Sequence, residues 1–388
     1  MIAPYYKLGD LCHIASGGTP SRTRPNYFGG SVNWVKITDM LQGEVTLTEE
    51  TLSGAGLANC SAKLLPVGTV LISIFATIGR TAVLGIEAAT NQAIAGVTAK
   101  TPSTLDARYL RYFLDAQRAY LRSVARGVAQ PNINQSILKN LDVPQPPLSE
   151  QLNIVDILSR AESIVRLRHE AQKKAAELIP ALFTDLFGDH ATNPKGWPVQ
   201  PLRELVKFVG GATPSKSRED FWEGDLPWVS PKDMKRLEIS DAADHLDAKV
   251  LAETNLKLIP ANSILVVVRG MILAHSLPLA ITRSPVTINQ DMKAFTPLGR
   301  VEPDYLFWAL MASKATLQNK IDAAAHGTKK LDTEHLVNLN IPIPPRSLQV
   351  AWADKARAVA SIQTQQATGT AQAEATFNAL LAEVFAAA

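Results

Sequence analysis

Short apolar runs and long amphipathic stretches alternate along the 388 residues, and the order in which they come is used twice. Runs of strand length, rich in β-branched residues and bounded by turn formers, predict buried strands at Val70 to Phe75 and Ile264 to Val268. Tyr109, Leu110, Phe113 and Leu114 fall at helical spacing, as do Tyr305, Leu306, Leu310 and Leu317, and predict helices over Ala107 to Ser123 and Pro303 to Ile321. Two far longer helices follow the proline-rich segments PQPP and PIPP. Proline disfavours helix in the residue before it, which makes Ser149 and Ser347 the expected N-caps.

In steps of four and three the first long helix presents Ile154, Leu158, Ala161, Val165, Arg168, Gln172, Ala175, Ile179, Leu182 and Leu186. The second presents Trp352, Ala356, Val359, Gln363, Gln366, Thr370, Ala373, Phe377, Leu380 and Val384, each 198 residues after its counterpart. Both seams are apolar at the ends and polar in the middle, so polar centres can meet while apolar ends pair. That pattern serves a parallel or an antiparallel pair; connectivity favours the antiparallel one, because the second helix must run back towards the start of the first. About 39 residues at 1.5 Å each make a rod of roughly 58 Å. Pro180 predicts a kink or local break near the end of the first helix. The polar centre reads as solvated seam defects, a partner-docking patch or, the favoured alternative, register-setting contacts.

The repeat is also literal. TPSRTRPNYFGGSVNWVKITDM begins at Thr19 and TPSKSREDFWEGDLPWVSPKDM begins at Thr213, 194 residues on, so Thr-Pro-Ser, an aromatic pair, Gly, Trp-Val and Asp-Met recur in register. Pro66 and Pro260 keep that offset, and Asn91-Gln92 recurs as Asn289-Gln290. The expected fold class is α+β: two similar mixed α/β domains separated by two long antiparallel coiled-coil helices, with a pseudo-twofold internal repeat. The boundaries read as globular segments 1–147 and 198–345, long helices 148–187 and 346–388, and a connector 188–197.

An apolar fraction of 46% and a charged fraction of 19% are those of an ordinary globular protein. With no signal peptide and no apolar run of membrane length, the expected location is cytoplasmic, without membrane contact. Cys12 and Cys60 lack metal or redox spacing and read as buried reduced thiols. The net charge is only +3, but the two long-helix stretches carry −2 between them, which leaves +5 on the globular segments, where an anionic partner would be met.

The sequence holds no phosphate loop, dinucleotide turn, HExxH or GxSxG elbow, and its seven histidines are neither spaced as ligands nor repeated between halves. What repeats is turn chemistry, aromatics and amides. Trp34 and Trp228 fit core anchors better than base-stacking platforms. Asn91, Gln92, Asn289 and Gln290 fit loop-bracing amides, or side chains reading adenine edges. Candidate nucleic-acid contacts are these amides with Arg22, Arg24, Lys36, Arg80, Arg126 and Gln130 in the first half, and Lys216, Arg218, Lys232, Lys235, Arg269, Lys329 and Lys330 in the second. For each basic residue the competing reading is a solvated surface charge. The scaffolds agree between halves while these side chains differ, as two readers of different sequences require.

Taken together, SGGTPS and VGGATPS, YFGG and FWEG before Trp-Val, GTVLISIFATIG, ATNQAI, VPQPPLSEQ and LFGDHATNPKGWP resemble the specificity subunits of type I restriction-modification systems over essentially the whole chain. The resemblance implies a non-catalytic subunit whose segments 1–147 and 198–345 are target-recognition domains, each reading half of a bipartite site in double-stranded DNA. The two long helices are then conserved spacers that dock two modification (methyltransferase) subunits, and restriction subunits can join. Such a chain carries no cofactor itself; S-adenosylmethionine and ATP with Mg are expected on the partners. Two departures bear on the second helix: Gly369 at its middle, about 1 kcal/mol worse than Ala, and PPRSLQ in place of PPLSEQ. The rival reading is a helical scaffold for a multisubunit complex that does not bind DNA.

Overall fold

The computed structural model describes residues 3–75, 77–125, 132–323 and 328–385. The chain divides into two compact units, one of Met1–Glu170 with Thr368–Ala388 and one of Ala171–Ala367. The division cuts through both long helices, Leu148–Phe187 and Arg346–Phe385, of 40 residues each. Each unit therefore holds one mixed α/β domain and a stretch of each helix.

In the first unit a five-stranded sheet runs Cys12–Ser16, Ile94–Ala99, Val70–Ser73, Thr81–Leu84, Glu44–Val45, antiparallel except for its last, parallel pair. Its central strand Val70–Ser73 is buried on both faces, which is why it reads as an unbroken apolar run. A second sheet places Phe28–Val35 between Glu50–Leu52 and Ala89–Thr90. The pair Tyr5–Lys7 and Asp142–Pro144 brings the ends of the domain together. The second unit repeats the plan: Val206–Gly210, Met292–Pro297, Ile264–Val267, Leu279–Thr282, Glu238–Ile239 in one sheet, and Leu226–Val229 between Asp244–Leu246 and Thr287–Ile288 in the other. In this unit Ile321–Ala323 also pairs antiparallel with Lys329–Leu331.

One face of each large sheet is covered by a short helix, Ala107–Ala116 or Pro303–Ala312, whose apolar side is buried. Tyr109 and Tyr305 are matched anchors in these helices, donating to the carbonyls of Pro144 and Pro342. Both helices end sooner than their periodicity predicts. Gln117 and Ser313 each sit at ψ 0 and interrupt the pattern, so that Arg118–Ser123 and Lys314–Gln318 follow as separate short helices.

The two long helices pack together and run antiparallel within each unit. In the first, His169 meets Glu374 at 2.8 Å and Arg168 lies over Gly369, while Val155 and Leu158 share a core with Leu381 and Phe385. In the second, Gln363 donates to the Ala175 carbonyl at 2.6 Å, and Ile179 and Phe183 share a core with Ala356 and Trp352. The polar centre of the seam thus makes cross-helix hydrogen bonds, which favours the register alternative. At Gly369 a Cβ would stand 2.7 Å from Arg168 Nη1, so the guanidinium of that exposed arginine lies directly over the glycine.

Three local expectations are corrected. The long helices start at Leu148 and Arg346, with the carbonyls of Pro147 and Pro345 accepting the first amide bonds, so Ser149 and Ser347 lie inside the first turn and are not caps. Pro180 does not break the first helix, which continues through it to Phe187. Beyond it the buried positions are Phe183 and Phe187, and Leu182 is 36% exposed, because the two phenyl rings pack on Tyr305 and Trp352.

The serine-x-glutamine segment has a different task from capping by serine. Gln151 is fully buried; its amide donates to the carbonyls of Thr104 and Pro146 and accepts from Asp106 N, the N-cap of the short helix. Gln349 repeats this with the Pro344 carbonyl and Glu302 N. Each long helix is therefore latched to its domain by one buried glutamine.

Candidate nucleic-acid interface

In both halves the Thr-Pro-Ser loop, the Asn-Gln turn and the tryptophan form one corner. Thr19 and Thr213 hydroxyls donate to the side-chain carbonyls of Gln92 and Gln290. Trp34 and Trp228 indoles donate to the carbonyls of Gly18 and Ala212, at 3.1 Å in each case. A Cβ on Gly17 or Gly211 would sit about 2 Å from the carbonyl of Asn91 or Asn289, so only glycine allows the loop to lie on the turn. Asn91 and Asn289 accept from the amides of Ala93 and Asp291, closing the turn. The four amides thus brace the corner, and Gln92 and Gln290 stand at its exposed surface.

Basic candidates gather around these corners in different electrostatic states. Arg22 stacks over Phe28 and Trp34, with its guanidinium 4.5 and 5.2 Å from the ring centres, and pairs with Glu50 at 2.8 Å. Lys36 pairs with Glu49 and Glu50. Those bonds push the Lys36 ammonium upward, while Arg22 and then Lys36 hold the Glu50 carboxyl below its usual range. Arg24 lies over Tyr27 at 5.8 Å, and its counterpart Arg218 over Phe221 at 4.1 Å. Arg218 is also clamped by Asp220, with both bonds at 2.8 Å, and this holds Asp220 well below the carboxylate range. Lys232 pairs with Asp244 at 2.7 Å. Exposed pairs of this kind are weak because solvent screens them, so a phosphate can displace the carboxylate.

Other candidates stand apart from the corners. Arg80 lines a cleft with Arg118, Arg122 and Phe377, and Lys235 lines another with Arg236, Arg283 and Gln363. The backbone of Arg269 forms an antiparallel bridge with that of Lys330, and Lys329 and Lys330 lie on one strand. Among the described residues Arg80, Lys216, Lys235, Arg269 and Lys329 carry no side-chain ion pair or hydrogen bond; Lys330 approaches Asp332 at 3.9 Å. Arg126 and Gln130 lie outside the described residues.

Sequence reasoning missed the network of Arg111, Tyr112, Asp115 and Glu162, in which Arg111 Nη1 reaches Glu162 at 3.0 Å and the Tyr112 hydroxyl reaches it at 2.9 Å. Its only trace in the chain is charge on the inward face of an otherwise apolar helix. Among the described residues no group of His, Cys, Asp and Glu could hold a metal, and no helix is long and apolar enough to cross a membrane. Cys12 is buried and its thiol is pushed up to about 12 by desolvation, while Cys60 is free and half-buried.

The structure is thus a duplicated loop-and-sheet domain joined to paired long helices, with basic and aromatic side chains at its repeated corner. The chain belongs to the family of the type I restriction modification DNA specificity domain, whose model matches residues 4–178 and again 194–368. It is 37% identical over 144 residues to the EcoR124I/EcoR124II specificity subunit of Escherichia coli, covering 37% of this chain and 36% of that one. To the MjaIX specificity subunit of Methanocaldococcus jannaschii it is 24% identical over 277 residues, 67% of this chain and 64% of that one. The matched stretches thus span from about a third to just under two thirds of these relatives. The fold is shared with the type I restriction-modification S subunit from M. genitalium, with a TM-score of 0.57, 14% identity and coverage of 97% and 94%. It is shared also with a chain from the structural work on complex assembly and conformational transition of the type I R-M system, with a TM-score of 0.65, 20% identity and coverage of 99% and 97%.

Proposed function

We propose that this chain is the specificity subunit of a type I restriction-modification complex and reads a bipartite site in double-stranded DNA. Segments 1–147 and 198–345 act as target-recognition domains, the helices 148–187 and 346–388 as spacers that dock two modification subunits, and 188–197 as their connector. The observation that carries this reading is the corner built twice on one scaffold with different outward side chains. A duplicated catalyst would repeat its reactive groups; a reader of two different half-sites repeats only its frame.

In this reading Arg22, Arg24, Lys36, Arg80, Lys216, Arg218, Lys232, Lys235, Arg269, Lys329 and Lys330 bind phosphates or base edges, and Gln92 and Gln290 lie within reach of the groove. Arg126 and Gln130 belong to the same proposal on sequence grounds. Methyl transfer with S-adenosylmethionine, and ATP-driven restriction, belong to partner subunits in the cytoplasm.

The test is the affinity of the chain, assembled with its modification subunits, for random duplex DNA as salt is raised. Several phosphate contacts give a steep fall of log K with log salt; a flat response would favour the DNA-free helical scaffold. Inserting four residues in each long helix at matched positions adds about 6 Å. Methylation mapping should then show a spacer longer by about two base pairs at 3.4 Å each, with unchanged half-sites.

A further inference from the structure

The corner is closed in one half and open in the other. In the first half Arg22 lies on Phe28 and Trp34 and bonds Glu50, so its own guanidinium fills the space between aromatic wall and carboxylate. The positions 194 residues later are Lys216, Trp222, Trp228 and Asp244. There the lysine leaves the aromatic pair uncovered, and Asp244 turns to Lys232. The two indoles meet edge to face at 5.1 Å, and a shallow cleft of about 510 Å³ opens beside them.

Two more side chains line that cleft without counterparts in the first half. Glu219 and Glu223 stand where Pro25 and Gly29 stand in the other repeat. Among the described residues neither glutamate has a side-chain hydrogen bond or ion pair. Uncommitted carboxylates are unexpected on a surface meant for phosphate, since like charges repel. A partner that presents amino hydrogens would satisfy them.

We propose that this cleft is a specificity pocket of the second domain that takes the N4-amino edge of a cytosine. The inference rests on the DNA-reading function proposed above. The chemistry follows from the closed half, where the occupant is a planar group donating N–H to a carboxylate while its face lies on aromatic rings. A cytosine edge offers a related combination, an N–H donor beside an apolar flank: Glu223 or Glu219 accepts from N4, as carboxylates do in major-groove readout, and the C5–C6 edge rests on Trp222. Lys216, which lines the cleft, and Lys232, which pairs with Asp244 in its wall, neutralise the flanking phosphates. Guanine and thymine present acceptors there and leave the carboxylate facing oxygen, while adenine, which also offers an amino group, sets its N7 acceptor against the carboxylate where cytosine sets C5–H.

The experiment uses the chain with its modification subunits and three exposed-site variants: Lys216→Arg, which supplies the plug of the first half, Glu223→Gln and Glu219→Gln. Methylation mapping should show a cytosine at one position of the half-site read by the second domain. Replacing it in a duplex by pyrimidin-2-one, which lacks the amino group, should weaken binding by roughly tenfold or more. Lys216→Arg, and at least one glutamine variant, should abolish that preference without altering the other half-site or the melting temperature. Preference retained within twofold in all three variants would overturn the pocket. So would a Lys216→Arg chain that keeps its DNA preference but loses its modification subunits, since the occupant would then be a protein arginine. Unmodified complex without any bipartite preference would instead overturn the function itself.

Discussion

The two units solve one packing problem with opposite chemistry. Where the short helix of the first domain meets the first long helix, Arg111 is bound to Glu162 and Asp115, Tyr112 donates to Glu162, Arg118 closes on Asp115 at 2.6 Å, and the buried Thr81 hydroxyl lies beside Asp115. The equivalent positions of the second unit are Phe307 for Arg111, Trp308 for Tyr112, Met311 for Asp115, Ala360 for Glu162 and Leu279 for Thr81. Those residues belong to or border one apolar cluster that includes Trp352 and Ala356. A single backbone frame therefore tolerates either an ionic or an apolar joint.

The two joints fail differently. Burial pushes the Asp115 carboxyl up, against the pull of Arg111 and then Arg118, so each charge depends on the others to remain in place. Removing one partner leaves the rest desolvated and uncompensated, whereas replacing the whole set by apolar groups of similar size is commonly neutral or favourable. An apolar joint has no such dependence, but it is sensitive to volume.

The largest effect is expected at Trp352, which is fully buried and packed edge to face on Phe183, Phe187 and Trp308. Trp352→Ala should destabilise the second unit by about 3–5 kcal/mol, read by calorimetry. The matched Ile154→Ala, at a half-buried site, should cost about half as much or less; equal losses would mean that the joints do not differ in kind. Next, Glu162→Ala should cost about 2–3 kcal/mol, less than for a deeply buried pair because the side chain is 36% exposed. Adding Arg111→Phe, Asp115→Met and Thr81→Leu to it should recover that loss and remove its salt dependence. If the fourfold variant is no better than the single one, the frame is not interchangeable.

The glutamine latches provide the control, because both accept a domain N–H and donate to a proline carbonyl, Gln151 with one further bond to Thr104. Gln151→Ala and Gln349→Ala should each lose about 2 kcal/mol, with the Gln151 loss the larger by no more than about 1 kcal/mol. A wider difference would show that the asymmetry reaches beyond the joint. The smallest effect concerns pH. His190 packs on Phe183 and Tyr305 at the apolar joint, with a buried Nε2, and desolvation lowers its pKa. A lowered pKa means that the unfolded chain takes the proton first. Stability is therefore complete above the ordinary value of about 6.5 and declines as pH falls below it towards the folded-state value. His190→Leu should flatten the drop in melting temperature of the second unit between about pH 6.5 and 5; an unchanged slope would remove His190 from the account.

The duplication, the strand and helix cores and the paired long helices were legible in the chain, because apolar periodicity and turn residues are local consequences of burial on one face. Legible too was the loop-bracing role of Asn91 and Asn289, since an asparagine at a turn has few other partners. The ionic joint was not. Arg111 and Glu162 are 51 residues apart, and nothing nearby in sequence marks a buried charge that has found its partner. The same holds for Gln151, which reads as one more polar residue of a first helical turn until the fold brings Thr104 and Asp106 to it.

By itself, then, the sequence determined the number of domains, their common topology and the polar centre of the helix seam, since these depend on spacing along the chain. Only the tertiary structure decided which basic side chains are neutralised by carboxylates and which stand free, and that the same corner is filled by Arg22 in one half but open beside Lys216 in the other. The reason is physical: the state of a charge depends on what lies within a few ångströms of it, and those neighbours are supplied by residues distant in sequence.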